Sequence, residues 1–265
     1  MKMTRQWDGL ESGPVLVLAH SLGGSARMWD PLVAELGGRF RVLRYDLPGH
    51  TKAGSPWAVD SFTFDDMVAW TAELLEQESV TDALFAGLAA GGAIAVALAA
   101  KRADIVRGVI LINTPVRQHS RFWLERAAAA RESGMDSIAE RLTADWFPDG
   151  GGDAFIAEIR SLDAAGYAAV CEAVAGLDIA SVLPRVEVPA MVVCAVDDES
   201  VDPANSDELT VALPKAWIER IASGGHLLPV RFPAMIATLI CDGFESTTVR
   251  GTPMSAEISR EGAQS

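Results

Sequence analysis

The sequence predicts an α/β fold: a mostly parallel twisted sheet flanked by helices, with a helical cap inserted between core strands. Three observations predict it. Short runs rich in Val, Ile and Leu recur between longer amphipathic stretches, as in a parallel sheet covered on both faces. The alternation stops between Pro115 and Pro189, where the patterns are helical and no clear strand is found. A glycine-flanked turn, Gly87-Leu88-Ala89-Ala90-Gly91, joins an apolar run to a helical one.

In chain order, strands are predicted at Val15–Ala19, Arg41–Tyr45, Ala83–Ala86, Val109–Ile112, Ala190–Ala195 and Ala216–Ile221. Helices are predicted at Ser25–Leu36, Phe64–Glu78, Gly92–Lys101 and Arg231–Cys241. The interruption carries four more, Phe122–Ser133, Met135–Ala144, Ala154–Asp163 and Gly166–Ala175. Residues 1–114 and 190–244 therefore form the expected core and 115–189 the expected cap. In 245–265 Glu, Ser, Thr, Arg and Gly dilute the apolar pattern, so a flexible C-terminal tail is expected there.

Composition narrows the function. Of 265 residues, 49% are hydrophobic and 22% charged, enough to bury a core and too apolar for a disordered chain. No apolar stretch reaches the ~18 residues that span a bilayer, and Met1–Gly9 lacks the order of a signal peptide. Cys171, Cys194 and Cys241 are odd in number and form no C-x-x-C pair, which points to a reducing, cytoplasmic setting. A net charge of −14 argues against nucleic acid and means that any anionic ligand needs local cations. Zinc-ligand spacing, P-loop and dinucleotide fingerprint are all absent, so no metal or cofactor is expected. The oligomeric state is not legible.

Four segments carry chemistry. Between strand and helix, Gly87-x-Ala89-x-Gly91 has the form of a nucleophile elbow, G-x-S-x-G, with a methyl group where the hydroxyl belongs. After the first strong strand, His20-Ser21-Leu22-Gly23-Gly24 occupies the place of a loop that donates one N–H to an oxyanion. By position the two donors are Leu22 and Ala90, aimed at charge that appears as a carbonyl becomes tetrahedral. A later strand ends in Asp197-Asp198, either of which suits the acid that orients a histidine; spacing favours Asp198. Ser223-Gly224-Gly225-His226 then supplies a base on a flexible loop. Of the other three histidines, His20 is assigned to support of the oxyanion loop, His50 to a structural turn and His119 to solvent at the cap mouth.

The order elbow, aspartate, histidine is the chain order of the α/β-hydrolase triad. The sequence resembles that superfamily, and more narrowly bacterial 3-oxoadipate enol-lactonases, over roughly Val15 to Phe244. The resemblance rests on His20-Ser21-Leu22-Gly23, Trp29-Asp30, Arg44-Tyr45-Asp46, Pro48-Gly49-His50 and the elbow. It extends through Trp123, Gly134-Met135, Trp146-Phe147 and Gly166–Cys171 to Asp197-Asp198 and Gly225-His226. Residues 49–55 depart from the usual Gly-His-Gly-x-Ser.

The resemblance implies an α/β-hydrolase fold and a carboxylic ester or lactone hydrolase working by Ser-His-Asp acyl transfer. It places Ala89 at the nucleophile position, Asp198 as orienting acid, His226 as base, and Leu22 and Ala90 as oxyanion donors. Ser21, Trp123, Arg126 and Trp146 are the expected substrate contacts; apart from the resemblance, Arg117, Arg121, Arg126 and Arg160 are the candidates should a carboxylate be recognised, with surface salt bridging the expected role for most of them. Three readings of Ala89 stay open. It can be a Ser→Ala variant, disabled but still binding ligand. The chain can instead be a natural lyase or isomerase using the His-Asp pair for proton transfer, or a small-molecule binding protein.

Overall fold

The computed structural model describes residues 3–55, 59–147, 150 and 152–244; the tail expected at 245–265 lies outside them. Seven strands form one sheet: Arg5–Gly9 (β1), Val15–Ala19 (β2), Arg41–Tyr45 (β3), Ala83–Leu88 (β4), Val106–Ile112 (β5), Ala190–Ala195 (β6) and Ala216–Ile221 (β7). Their order is β1-β3-β2-β4-β5-β6-β7, parallel throughout except that β1 runs antiparallel to β3. Strands β4 and β6 are buried along their whole length, which is why they read as unbroken apolar runs rather than alternating ones.

The predicted first helix is split into a 3-10 turn at Ala26–Trp29 and Asp30–Glu35 (α1), because Pro31 lacks the N–H needed further inside a helix and fits only a first turn. Phe64–Gln77 (α2) starts from a capping box in which Thr63 and Asp66 each satisfy the other's backbone N–H. Ala90–Lys101 (α3) is buried on every side from Ala90 to Ala99, so it has no polar face to show. Between β5 and β6 lie Ser120–Ser133 (α4), Asp136–Trp146 (α5), Asp153–Arg160 (α6) and Ala164–Ala175 (α7). Ala204–Ala212 (α8), Leu228–Arg231 (α9) and Pro233–Phe244 (α10) complete the chain as described. The predicted last helix is divided in two, with Pro233 opening the second part. Cys171, Cys194 and Cys241 are all buried.

The topology fixes where a ligand can sit. From β2 the chain steps to β3 on one side, then returns across to β4 on the other. The carboxyl ends of β2 and β4 thus flank a switch point, where open α/β sheets hold their ligands. Helices α5 and α7 reach the loop after β2 at this crevice. A Cβ built on Gly23, in the loop after β2, would stand 2.6 Å from Leu142, 3.4 Å from Trp146 and 3.9 Å from Tyr167. Among the described residues no helix is long and apolar enough to cross a membrane.

Candidate active site

Ala89 closes β4 and caps α3 with φ 51° and ψ −114°, outside the usual regions for a residue bearing a Cβ. Both of its peptide groups are held: its N–H donates to Ile112 O at 2.9 Å, and its carbonyl accepts from Gly92 and Ala93. The glycines around it are sterically required. A Cβ on Gly87 would lie 2.2 Å from the Gly91 carbonyl carbon, one on Gly91 2.2 Å from Ala19 O, and one on Gly92 2.0 Å from Thr114 Oγ1. The turn therefore presents the Ala89 methyl from a strained backbone, 8% exposed. Replacing it with glycine should relieve strain of about 1–3 kcal/mol. Glycine's greater unfolded-state freedom returns part of that, leaving a net stabilisation of about 1 kcal/mol. Denaturant midpoints of the two proteins measure it; a lower midpoint for Ala89→Gly would show that the turn is unstrained.

From the ends of β6 and β7 come the acid and the base. His226 Nδ1 lies 2.9 Å from Asp198 Oδ2, with both residues buried. The other oxygen of Asp198 accepts the N–H groups of Ser200 (2.8 Å) and Val201 (3.2 Å), which fixes the carboxylate's orientation. The rival Asp197 points elsewhere. It accepts the N–H groups of Gly224 (2.9 Å) and Gly225 (2.8 Å) and so anchors the loop that carries His226. Burial acts to raise the pKa of Asp197, but the Gly225 and Gly224 amides outweigh it and hold the carboxyl below its usual range. The adjacent aspartates divide the work: one meets the ring, the other holds its loop.

Asn113, for which no role was expected, ties these pieces together from the end of β5. Its amide donates to the carbonyls of Gly225 (3.1 Å) and His226 (3.0 Å) and accepts the N–H of Ala195 (2.9 Å). Its φ of 43° is one that asparagine tolerates better than most residues. Trp146 stacks on the His226 ring with centroids 6.3 Å apart and planes 19° from parallel.

Two buried histidines build the loop after β2. His20 Nε2 accepts the N–H of Leu47 at 2.8 Å, and its Nδ1 sits 2.7 Å from Ser21 O. His50 does more than shape its own turn, because its Nε2 accepts the N–H of Gly23 at 2.8 Å. Each ring must be neutral to accept, with the proton on Nδ1. Burial pushes His20 down to about 4 and His50 down to about 3. The unfolded chain takes up these protons near pH 6.5, so it binds more protons than the folded one below that pH. Stability contributed by the pair is present above about pH 6.5 and is lost as pH falls toward 4. The loss is about 3 kcal/mol from His20 alone. A falling melting temperature from pH 7 to 4.5, flattened in the His20→Gln/His50→Gln protein, is the expected result; a flat curve for the unaltered chain refutes it.

The remaining predicted site residues separate. Leu22 follows Ser21 in the loop after β2, and Ala90 opens α3, whose first N–H groups have no partner within the helix. Ser21 is buried with an unpartnered hydroxyl. Trp123 is half-buried, its indole N–H donating to Gln118 at 2.8 Å. Arg126 is buried, whereas His119 is exposed. A groove of about 420 Å³ between α2, α3 and α7, lined by Phe62, Phe64, Lys101 and Ile179, touches neither the elbow nor His226.

A parallel sheet with a strained strand-to-helix turn, and an acid and a base on later strand ends, defines an α/β-hydrolase-type protein. The alpha/beta hydrolase family model matches residues 16–239, and the chain belongs to that family. It is 28% identical to 3-oxoadipate enol-lactonase 2 of Acinetobacter baylyi, covering 85% of this chain and 86% of that one. It is 29% identical to RutD of Yersinia enterocolitica, named as a candidate carbamate hydrolase, over 81% of each. The crystal structure of the enol-lactonase from Burkholderia xenovorans LB400 superposes with a TM-score of 0.82 at 30% identity, covering 91% of this chain and 95% of that one.

Proposed function

We propose that the chain binds a small carboxylic ester or lactone over Ala89, at a site built for acyl transfer whose nucleophilic oxygen is missing. The observation that carries this reading is the 2.9 Å pairing of His226 Nδ1 with Asp198, in a chain whose strand-to-helix turn is strained at Ala89. With Nδ1 engaged, Nε2 is the ring nitrogen that moves a proton. The likeness to enol-lactonases supports the substrate class. In this reading Leu22 and Ala90 donate their N–H groups to the carbonyl oxygen, and Trp146 covers the base.

With a serine at position 89, its Oγ would attack the carbonyl carbon while His226 Nε2 takes the proton. Collapse of the tetrahedral oxyanion expels the alkoxide, which recovers that proton from His226. Water then enters by the same route and releases the acid. Without the oxygen only binding, oxyanion stabilisation and the base remain, and turnover is slow. The test is Ala89→Ser, assayed on short p-nitrophenyl esters, several lactones, a 3-oxoadipate enol-lactone and a carbamate. Ester or lactone turnover that appears with the serine supports the proposal. None, in a folded protein, overturns it and directs attention to proton transfer by His226 and Asp198 alone.

A further inference from the structure

The loop that carries His226 has no shape of its own. Gly224 and Gly225 precede the histidine with φ of 149° and 60°, values open to glycine and rarely adopted by other residues. Two successive glycines have many backbone states, so the one seen is imposed by neighbours. Packing closes one side, because a Cβ on Gly224 would stand 2.5 Å from Phe232 and 2.7 Å from Leu228. The place of the His226 ring is therefore set by whatever holds this backbone.

Two side chains hold it, from opposite edges. Asp197 accepts the N–H groups of Gly224 and Gly225, and Asn113 donates to the carbonyls of Gly225 and His226. Gly225 is thus gripped by both of its polar groups. The two partners follow different strands, Asp197 after β6 and Asn113 after β5. Asn113 is itself immobilised. It is 2% exposed, its backbone N–H donates to Val193 O at 2.9 Å, and its Oδ1 accepts the N–H of Ala195. Its side chain so continues the β5–β6 pairing past Ile112 and Val193, the last paired residues. Ile112 in turn holds the N–H of Ala89 at 2.9 Å. Residues 112 and 113 therefore tie the ends of β4 and β6 to the loop after β7.

The chemistry at position 113 is specific. An amide offers two N–H groups to two carbonyls while its oxygen takes a third group's N–H. An aspartate would turn lone pairs toward both carbonyls, and a leucine would leave all three groups unpaired in a buried place. From this two-sided grip we infer that Asn113 and Asp197 are positioning residues, a clamp that fixes the His226 ring against Asp198 by holding the loop backbone. It rests on the reading of His226 as the base and not on the ester or lactone assignment.

The test follows the Nδ1 proton of His226 by NMR in the unaltered chain, grown with isotope-labelled histidine. The chain has four histidines, and loss of the signal in Asp198→Ala identifies the right one. Asn113→Gly removes the amide and suits the φ of 43° at that position. In this protein and in Asp197→Ala the proton should exchange with water at least about 10-fold faster. In the Ala89→Ser background each variant should lower kcat about 10- to 100-fold and leave KM within about 2-fold. A proton that exchanges as before in both folded variants overturns the clamp. So does a raised KM with kcat kept, because the two residues would then serve binding rather than the base. The two readings fail separately. Faster exchange without any turnover removes the hydrolase and leaves the clamp; turnover with unchanged exchange does the reverse. Should Asn113→Gly not fold, Asp197→Ala, altered at an exposed position, still decides through the same proton.

Discussion

Ala89→Ser is expected to raise turnover of the best ester or lactone on the order of 10³-fold or more. The elbow already holds the backbone of residue 89 through Ile112, Gly92 and Ala93, so the new hydroxyl enters without rebuilding the turn. A 10³-fold gain corresponds to about 4 kcal/mol of barrier, within what a nucleophile and its base supply together. The gain should depend on Asp198 and His226 as one unit. In the serine-bearing protein, His226→Ala is expected to return turnover close to that of the present chain, and adding Asp198→Asn should cost little more. Single-turnover rates across the four proteins measure this coupling. Additive losses would show that the three positions do not act together.

Gly91→Ala is expected to cost more than about 4 kcal/mol, or to prevent folding. The added Cβ would stand 2.2 Å from Ala19 O, 2.7 Å from Ala19 C and 2.8 Å from His20 O. All three atoms are backbone of β2 and the loop after it, so relief requires α3 to move off the sheet. Gly176→Ala is the control. It ends α7 at φ −97°, and its Cβ would meet nothing nearer than 3.9 Å. Its cost should stay within about 1 kcal/mol. Chemical denaturation compares the two, and a folded Gly91→Ala protein of near-normal stability would disprove the steric account.

The strands legible in the sequence were those rich in apolar residues. β2, β3, β6 and β7 run over the residues predicted for them, β6 buried along its whole length and β7 half-buried over most of its own. The edge strand β1 was not legible: RQWDG is polar and shows no period, and it becomes a strand by pairing with β3. Helix α8 escaped for a similar reason, since only Ser206 and Leu209 are buried along it. In the candidate site, residue types and their order were legible but side-chain directions were not. Asp197 and Asp198 are adjacent, and which one meets His226 depends on how the chain turns after β6. The bond from His50 to Gly23 spans 27 residues, and that from Asn113 to His226 spans 113. No local pattern encodes either.

The helices between β5 and β6 divide labour along the chain. Ala89, Asp198 and His226 all sit at the ends of sheet strands, whereas Leu142, Trp146, Tyr167 and Arg126 all belong to the inserted stretch. Under the proposed reading, proton handling and molecular selectivity thus lie on separate stretches of the chain. Substitutions in α4–α7 would then retune which compounds are admitted while the Asp198–His226 pair stays fixed on its strands, with Trp146, stacked on His226, as the point where the two meet.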